Sequence, residues 1–184
     1  MLPVFSYMTE RLEVRSFQDA DNNDFFLLLT NPLVNSSVGA AQFLSHPHLV
    51  NQFLKQMLLK DDVSQSWLLY SILDRANHQF IGGCGIKIEQ ENRRGEIFYL
   101  LFPRYWGRGL AAEACRPILD NAFNQCGLGS IEVLIIPENR RAQRVAHKLG
   151  FRYLKTVHLN RYGQRRKVQK WTLLATDLAY INHD

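Results

Sequence analysis

Apolar positions along the chain alternate between two spacings, and each change of spacing predicts a new strand or helix. Alternating apolar and charged residues predict a first strand within Thr9 to Phe17. Apolar residues at helical spacing predict a helix after Asp19 or Asp21, either of which can cap it. A second helix is expected over about residues 40–60. The short polar segment between them, residues 33–38, is interpreted as a loop.

The middle of the chain predicts three consecutive strands joined by tight turns. These strands cover Ser66 to Leu73, Gln79 to Glu89 and Glu96 to Phe102. Gly82, Gly83 and Gly85 lie within the second of them, and glycines inside a strand indicate a bulge or the close approach of another backbone. We therefore expect tight packing around this strand.

The second half of the chain predicts one parallel crossover followed by a hairpin. A helix from Gly107 to about Gln125, a buried strand from Ile131 to Ile136 and a helix over residues 140–149 follow one another. Asn139 is positioned to cap the last helix, and Gly150 to end it. Two further strands close the chain, so the predicted order is β-α-α-β-β-β-α-β-α-β-β.

The stretch from Tyr99 to Glu113 combines a strand end, a loop containing Gly107 and Gly109, and the start of a helix. Such a junction presents unpaired N–H groups and the positive end of a helix dipole, and glycine allows close approach, so it suits a phosphate. The dinucleotide-binding pattern would need a third glycine, and the P-loop pattern would need Gly-Lys-Ser/Thr; neither is present.

Composition narrows the class of protein. The 184 residues are 46% hydrophobic and 21% charged, which predicts one globular domain spanning residues 1–184. No apolar run approaches the roughly 20 residues of a membrane span, and the first residues do not resemble a signal peptide. Three cysteines without Cys-x-x-Cys spacing argue against disulfides and a metal site and favour the cytoplasm. The net charge of +5 favours an anionic partner.

The motif Arg104-x-x-Gly107-x-Gly109 resembles the Arg/Gln-x-x-Gly-x-Gly/Ala loop of the GNAT-type N-acetyltransferases. Thr9 to Arg15 and Asn139 to Phe151 resemble motifs of its subgroup that acetylates ribosomal-protein N-termini at serine or alanine. The resemblance implies an α/β (α+β) GNAT fold. We expect a mixed, mostly antiparallel sheet of six to seven strands, with helices on both faces and one parallel βαβ unit.

The same resemblance implies acetyl-CoA as co-substrate and no metal. In the family, loop amides hold the pyrophosphate, and backbone groups matching Leu100 and Phe102 pair with the pantetheine arm. The implied cofactor-binding residues are Leu100, Leu101, Phe102, Arg104, Gly107, Arg108, Gly109, Leu110, Ala111 and Asn139. Arg140, Arg141 and Arg144 could face the 3′-phosphate of CoA or only solvent.

The family reaction is a direct attack of an amine on the thioester, so a base and a proton donor are wanted. Glu96 is the candidate base, acting through water, and its alternative role is that of a solvated carboxylate at a strand end. Ala142 and Ala146 stand where branches of the family have a serine or a tyrosine as proton donor. The thiolate then leaves unassisted, or Tyr153 or a water supplies the proton, or catalysis is weak.

The sequence leaves the acceptor open. A protein N-terminus, acidic in character, is the leading expectation, and a small amine such as a polyamine or aminoglycoside is the alternative. A non-catalytic acyl-CoA-binding domain is the third. The basic run from Arg161 to Lys170 fits a solvated hairpin tip or a docking site for an acidic protein, and it is too short and too poor in aromatics to favour nucleic acid. A homodimer through the late strands is compatible with the sequence but not required by it.

Overall fold

The computed structural model describes residues 6–38, 65–161 and 164–177. Its strands are β1 Tyr7–Met8, β2 Leu12–Ser16, β3 Gln65–Asp74, β4 Phe80–Glu89, β5 Arg94–Leu101, β6 Ser130–Ile135, β7 Arg152–Arg161 and β8 Gln164–Leu174. Its helices are α1 Asn22–Thr30, α2 Pro32–Val38, α3 Leu110–Asn124 and α4 Arg140–Lys148, with short 3-10 turns at Asp19–Asp21 and Pro103–Tyr105. The helix expected over residues 40–60 lies outside the described residues.

The described strands form one sheet in the order β1-β2-β3-β4-β5-β6-β8-β7. Within it, β5 and β6 run parallel, and every other pair of neighbours is antiparallel. The predicted mixed, mostly antiparallel sheet with one parallel unit is confirmed. It has eight strands rather than six or seven. The additional strand is β1, which pairs Tyr7 with Val14 and Met8 with Glu13 and is too short to produce a periodic pattern.

Helices cover both faces of the sheet, as expected. Side chains of β5 show the division, because alternate residues of a strand point to opposite faces. Ile97 and Leu101 pack in the core beneath α3 and α4, whereas Phe98 and Leu100 pack against the core that contains α1 and α2. Each face of the sheet therefore has its own apolar core.

The loop expected at residues 33–38 is a helix, and this prediction is wrong. Pro32 occupies the first position of α2, where its fixed φ and missing N–H are tolerated. The side-chain oxygen of Asn31 accepts hydrogen bonds from the backbone N–H groups of Leu33 and Val34, at 3.1 and 3.3 Å. Asn31 and Pro32 therefore end α1 and also start α2.

Asp21 was one of the two residues expected to cap α1, but its carboxylate makes no capping hydrogen bond to that helix. It accepts hydrogen bonds from Arg15 at 2.7 and 2.8 Å and from the Ser71 hydroxyl at 2.6 Å. Asp21 is 5% exposed, so this ion pair is a buried link between β2, β3 and the start of α1.

The glycines of β4 allow close packing, as predicted. A Cβ atom at Gly82 would lie 2.2 Å from the carbonyl oxygen of Leu100. A Cβ atom at Gly85 would lie 2.5 Å from the ring of Phe98 on β5. The ring of Phe98 therefore lies directly over β4, a position that a larger residue at 85 would prevent.

Candidate active site

The parallel strands β5 and β6 separate after three paired positions. Their register contains Arg94 with Ser130, Gly95 with Ile131, and Glu96 with Glu132. Beyond Glu96, β5 stays paired with β4 as far as Leu101, and β6 stays paired with β8. From residue 97 onward, the facing edges of the two strands border a gap in the sheet.

A cavity of about 860 Å³ occupies this gap. Residues on both faces of β5 line it, since Ile97 and Tyr99 point to one face and Glu96 and Phe98 to the other. Its walls also include α2 on one side and α3 and α4 on the other. The cavity therefore reaches both faces of the sheet through the gap between β5 and β6.

The glycine loop closes one end of the cavity. Gly107 and Gly109 have φ angles of 76° and 78°, the left-handed region that favours glycine. The first backbone bond of α3 runs from the N–H of Glu113 to the carbonyl of Gly109, at 3.1 Å. The N–H groups of Leu110 and Ala111 lie before this bond, at the positive end of the helix dipole. The predicted strand, glycine loop and helix start are confirmed.

Most of the predicted cofactor-binding residues line this cavity. Its lining includes Leu100, Leu101, Gly107, Arg108, Gly109, Leu110, Ala111 and Asn139. Cations from distant parts of the chain join them. A Cβ atom at Gly109 would lie 3.5 Å from Nζ of Lys148 and 3.8 Å from Nη2 of Arg11. Arg11 is paired with Glu113, so Lys148 is the cation beside the loop that suits it to a ligand with phosphates.

Arg11 and Glu113 fasten the loop. The Glu113 carboxylate accepts bonds from the backbone N–H of Arg11 at 3.0 Å, from its Nε at 2.8 Å and from the Thr9 hydroxyl. Nη1 of Arg11 donates to the carbonyl of Arg108 at 3.0 Å. Burial raises the pKa of the Glu113 carboxyl, but the bonds from Thr9 and Arg11 outweigh it, so its pKa lies below the ordinary value. Arg11 was not predicted in this role, because it comes from a segment far from the loop in sequence.

Phe102 and Arg104 support the loop from outside the cavity. The Phe102 N–H bonds to the Ile81 carbonyl at 3.0 Å, and the Phe102 carbonyl accepts from the Tyr105 N–H at 2.9 Å. The Arg104 guanidinium lies over the Tyr105 ring at 5.0 Å. Neither Phe102 nor Arg104 is among the described lining residues, so the structure does not bring these two predicted residues to the cavity.

Of the three arginines at the start of α4, two meet the cavity. Arg141 stacks on Trp106 at 4.9 Å, and Arg144 also lines the wall. The indole N–H of Trp106 donates to the carbonyl of Leu101 at 2.7 Å. Arg140 instead donates to the side chain of Gln143 at 3.1 Å.

Glu96 lies where the gap begins. It is half-buried, lines the cavity and faces Lys87 on β4 and Glu132 on β6 in the register. Lys87 is 3.3 Å from Glu89, and Lys170 is 2.6 Å from Glu132, so both neighbours have ion-pair partners. The predicted base is therefore brought to the cavity, on the face opposite α3 and α4.

Tyr99 and the predicted proton donor Tyr153 have different surroundings. Tyr153 is 51% exposed on β7, its hydroxyl shares a 2.8 Å hydrogen bond with Thr156, and it is not among the described lining residues. Tyr99 lines the cavity, and its hydroxyl donates to the carbonyl of Ala142 at 2.9 Å. Burial raises the pKa of Tyr99, so this hydroxyl stays protonated. Sequence reasoning treated Tyr99 only as a strand residue and missed it.

Three further features of the described residues bear on function: metal sites, reactive cysteines and membrane-spanning helices. There, no group of three or more His, Cys, Asp or Glu side chains is placed to hold a metal ion. Cys84 and Cys115 are buried free thiols, and Cys126 is a half-buried one. None of the helices in the described part of the chain is long and apolar enough to cross a membrane.

Comparison with solved structures shows the same fold. A spermidine N-acetyltransferase from Vibrio cholerae, in complex with CoA and spermine, aligns with a TM-score of 0.74 and 19% identity, covering 93% of this chain and 99% of that one. A ribosomal-protein-S5-alanine acetyltransferase from Vibrio fischeri aligns with a TM-score of 0.68 and 18% identity, covering 94% and 98%.

Sequence comparison shows the family. The uncharacterized protein YkkB of Bacillus subtilis is 32% identical over 153 residues, which is 82% of this chain and 87% of that protein. Residues 11–152 match the family model described as "Acetyltransferase (GNAT) domain". This match agrees with two features of the structure, the gap between β5 and β6 and the positively charged glycine loop. The chain belongs to the GNAT family and is an acetyl-CoA-dependent N-acetyltransferase.

Proposed function

We propose that this domain, which we expect to span residues 1–184, acetylates the N-terminal amine of a protein in the cytoplasm. The observation that carries the proposal is the cavity through the sheet. The glycine loop and Glu96, which lies where the gap between β5 and β6 begins, both line this cavity. A phosphate-bearing thioester held at the loop and an amine held near Glu96 can therefore meet inside the gap.

The loop and the open strand edge hold the co-substrate in this proposal. Backbone N–H groups of Arg108, Gly109 and Ala111 bind the pyrophosphate, and Lys148 adds positive charge beside them. The unpaired edge of β5 accepts the pantetheine arm as an added strand, through backbone groups near Leu100. A backbone N–H there also donates to the thioester oxygen, which stabilises the charge that develops on it.

Glu96 acts as the base through a water molecule. A free α-amine has a pKa of about 8, so part of it is neutral at pH 7 and a nearby carboxylate gives a modest further gain. The amine nitrogen attacks the thioester carbon, the C–N bond forms, the C–S bond breaks, and the amine proton leaves through water to Glu96. The products are the acetylated amine and CoA.

Tyr99 replaces Tyr153 as the group that assists the leaving thiolate. Tyr99 lines the cavity and its hydroxyl lies at the first turn of α4, whereas Tyr153 lies outside. The hydroxyl stays protonated, so when it turns from the carbonyl of Ala142 it can donate its hydrogen bond to the sulfur as negative charge develops there. This role compensates for the alanines at 142 and 146, which have no proton to donate.

Release of the CoA thiol tests the function directly. The acceptors are peptides with free Ser or Ala N-termini, acidic and neutral, together with a lysine peptide and spermidine. Turnover with the peptide N-termini supports the proposal, and turnover with spermidine alone favours the small-amine alternative. A structure with the same fold contains the polyamine spermine, so the test has to include spermidine.

Two variants test the roles of the side chains. Glu96→Gln lowers turnover at neutral pH, and the loss of turnover is smaller at high pH. The control Glu91→Gln, in the exposed turn before β5, leaves turnover unchanged at both pH values. Tyr99→Phe lowers kcat about tenfold without changing the Kd of acetyl-CoA, while Tyr153→Phe leaves both unchanged. If Tyr153→Phe is the slower of the two tyrosine variants, the assignment of Tyr99 is wrong.

A further inference from the structure

The Glu96 side of the cavity is walled by apolar side chains, which we name the apolar chamber. Its residues are Leu29, Val34, Val38, Trp67, Phe98 and Leu100. All of them belong to the apolar core that contains α1 and α2 or pack against it. The rings of Trp67 and Phe98 meet edge to face, with centroids 5.9 Å apart. The chamber therefore has an aromatic wall on the sheet and an aliphatic wall on the helices.

The chamber lies directly beside the candidate base. Glu96 and Phe98 are two residues apart on β5 and share one face, a separation of about 7 Å along the strand. Lys87 faces Glu96, and Trp67 faces Lys87, in the adjacent strands. An amine held near Glu96 consequently lies beside Phe98 along β5, and Trp67 lies one strand beyond Lys87.

Phe98 has this position because of Gly85. A Cβ atom at residue 85 would lie 2.5 Å from the Phe98 ring, so only glycine leaves room for the ring over β4. The aromatic wall thus depends on a pair of residues on neighbouring strands, which are paired in the register.

The charge of the described lining opposes a polycationic acceptor. Its cationic residues are Lys87, Arg108, Arg141, Arg144, Lys148 and Arg166, and its acidic residue is Glu96. Lys87 is ion-paired with Glu89, so on the chamber side Glu96 is the carboxylate that the described lining offers to a cation. A chain with several ammonium groups would find one carboxylate there to pair with.

We infer that the acceptor carries a large apolar group on the carbon next to its reactive amine, and that this group occupies the apolar chamber. The inference rests on the proposed function and specifies its acceptor class. Among protein N-termini it selects Phe, Leu and similar residues over Ser and Ala. Burial of such a side chain favours its transfer from water in proportion to the apolar area that is covered.

The experiment compares acetyl transfer to peptides that differ only in their first residue. Peptides beginning with Phe and Leu are expected to exceed those beginning with Ala and Ser by at least about tenfold in kcat/KM. Spermidine is expected to react more slowly than the Phe peptide. Equal rates, a preference for Ser or Ala, or a preference for spermidine would overturn the inference.

Variants of the wall identify the chamber as the cause. Trp67→Ala and the milder Phe98→Leu are expected to lower the ratio of the Phe to the Ala peptide severalfold. A merely structural loss would lower both rates together. Phe26→Ala is the matched control, because Phe26 packs against the same core but is not among the described lining residues. An unchanged ratio in a folded wall variant contradicts the inference.

A small amine, 2-phenylethylamine, separates this inference from the proposed function. If 2-phenylethylamine is acetylated and no peptide is, the protein N-terminus is refuted as the acceptor, and an acceptor with an apolar group is supported. If no acceptor reacts, calorimetry with the CoA-loaded protein decides. Tighter binding of the Phe peptide than of the Ala peptide supports the inference that the chamber holds an apolar group. Equal binding of the two peptides overturns that inference.

Discussion

The side-chain nitrogen of Asn139 donates a hydrogen bond of 2.8 Å to the carbonyl oxygen of Ser37. The side-chain oxygen of Asn139 accepts from the N–H of Ala142 at 3.0 Å, so the same residue caps α4 and holds the end of α2. These helices lie on opposite faces of the sheet, and both bonded residues line the cavity. One side chain therefore connects the cofactor wall to the wall that we assign to the acceptor.

Two substitutions separate the two bonds of Asn139. Asn139→Ala loses both, so the free energy of unfolding should fall by about 1 kcal/mol and the acceptor KM should rise. Asn139→Asp keeps an oxygen for the helix cap but has no N–H for Ser37. Its free energy of unfolding in urea should lie between those of the wild type and the Ala variant, and its KM should be raised as in the Ala variant. A wild-type KM in the Asp variant would show that the link to α2 does not shape the acceptor site.

Gly109→Asp is expected to weaken acetyl-CoA binding by about a hundredfold. The new carboxylate would lie beside the site that we propose for the pyrophosphate, where a like charge at about 6 Å costs about 3 kcal/mol with an effective dielectric constant of about 20. Gly127→Asp is the control, because Gly127 also has a positive φ, 65°, but does not line the cavity. Both variants carry the same backbone strain, so equal loss of binding in a calorimetric titration would argue against the loop as the phosphate site.

Glu113→Gln is expected to raise the Kd of acetyl-CoA severalfold. The neutral amide holds Arg11 less firmly, and Arg11 in turn holds the carbonyl of Arg108 in the loop. The free energy of unfolding should fall by about 1 kcal/mol, as expected when a charged hydrogen-bond acceptor is lost at a partly exposed site. Glu10→Gln, on the exposed surface next to Arg11, should change neither quantity. Titration calorimetry and urea denaturation measure the two effects.

Asp21→Asn is expected to lower the free energy of unfolding by about 3 kcal/mol, because it leaves the Arg15 guanidinium without its charged partner. Ser71→Ala removes one neutral donor to the same carboxylate and should cost about 1 kcal/mol. Denaturant titrations at pH 7 measure both. A larger loss for Ser71→Ala than for Asp21→Asn would contradict the dominance of the ion pair.

The same carboxylate predicts a loss of stability in acid. Burial raises the pKa of Asp21, but the bonds from Arg15, Ser71 and the Gln18 N–H outweigh it, so the folded-state pKa is below the ordinary value. The stabilisation is therefore complete above the unfolded-state pKa of about 4 and disappears as the pH falls through the lower, folded-state pKa. Below about pH 4, Asp21→Asn should lose less stability than the wild type.

Local chemistry allowed β5, the glycine loop, α3 and α4 to be predicted from the sequence. Gly107 and Gly109 require backbone angles that few other residues adopt, and Asn139 bonds to a backbone group only three residues away. The signals for α2 were also local, since Asn31 and Pro32 mark a helix start as well as an end. That prediction failed because the polar composition of residues 33–38 was given more weight than the cap.

Contacts between distant segments were decided by the tertiary structure alone. The pairing of Arg11 with Glu113, the position of Lys148 beside Gly109 and the meeting of Tyr99 with Ala142 each join residues far apart in the chain. Periodicity assigns a residue to a face of its own strand or helix, but it does not state which element that face will meet. Hence the chain alone predicted the glycine loop and the family. Only the packed sheet, opened between β5 and β6, showed that Tyr99 and the apolar chamber line the same cavity as that loop.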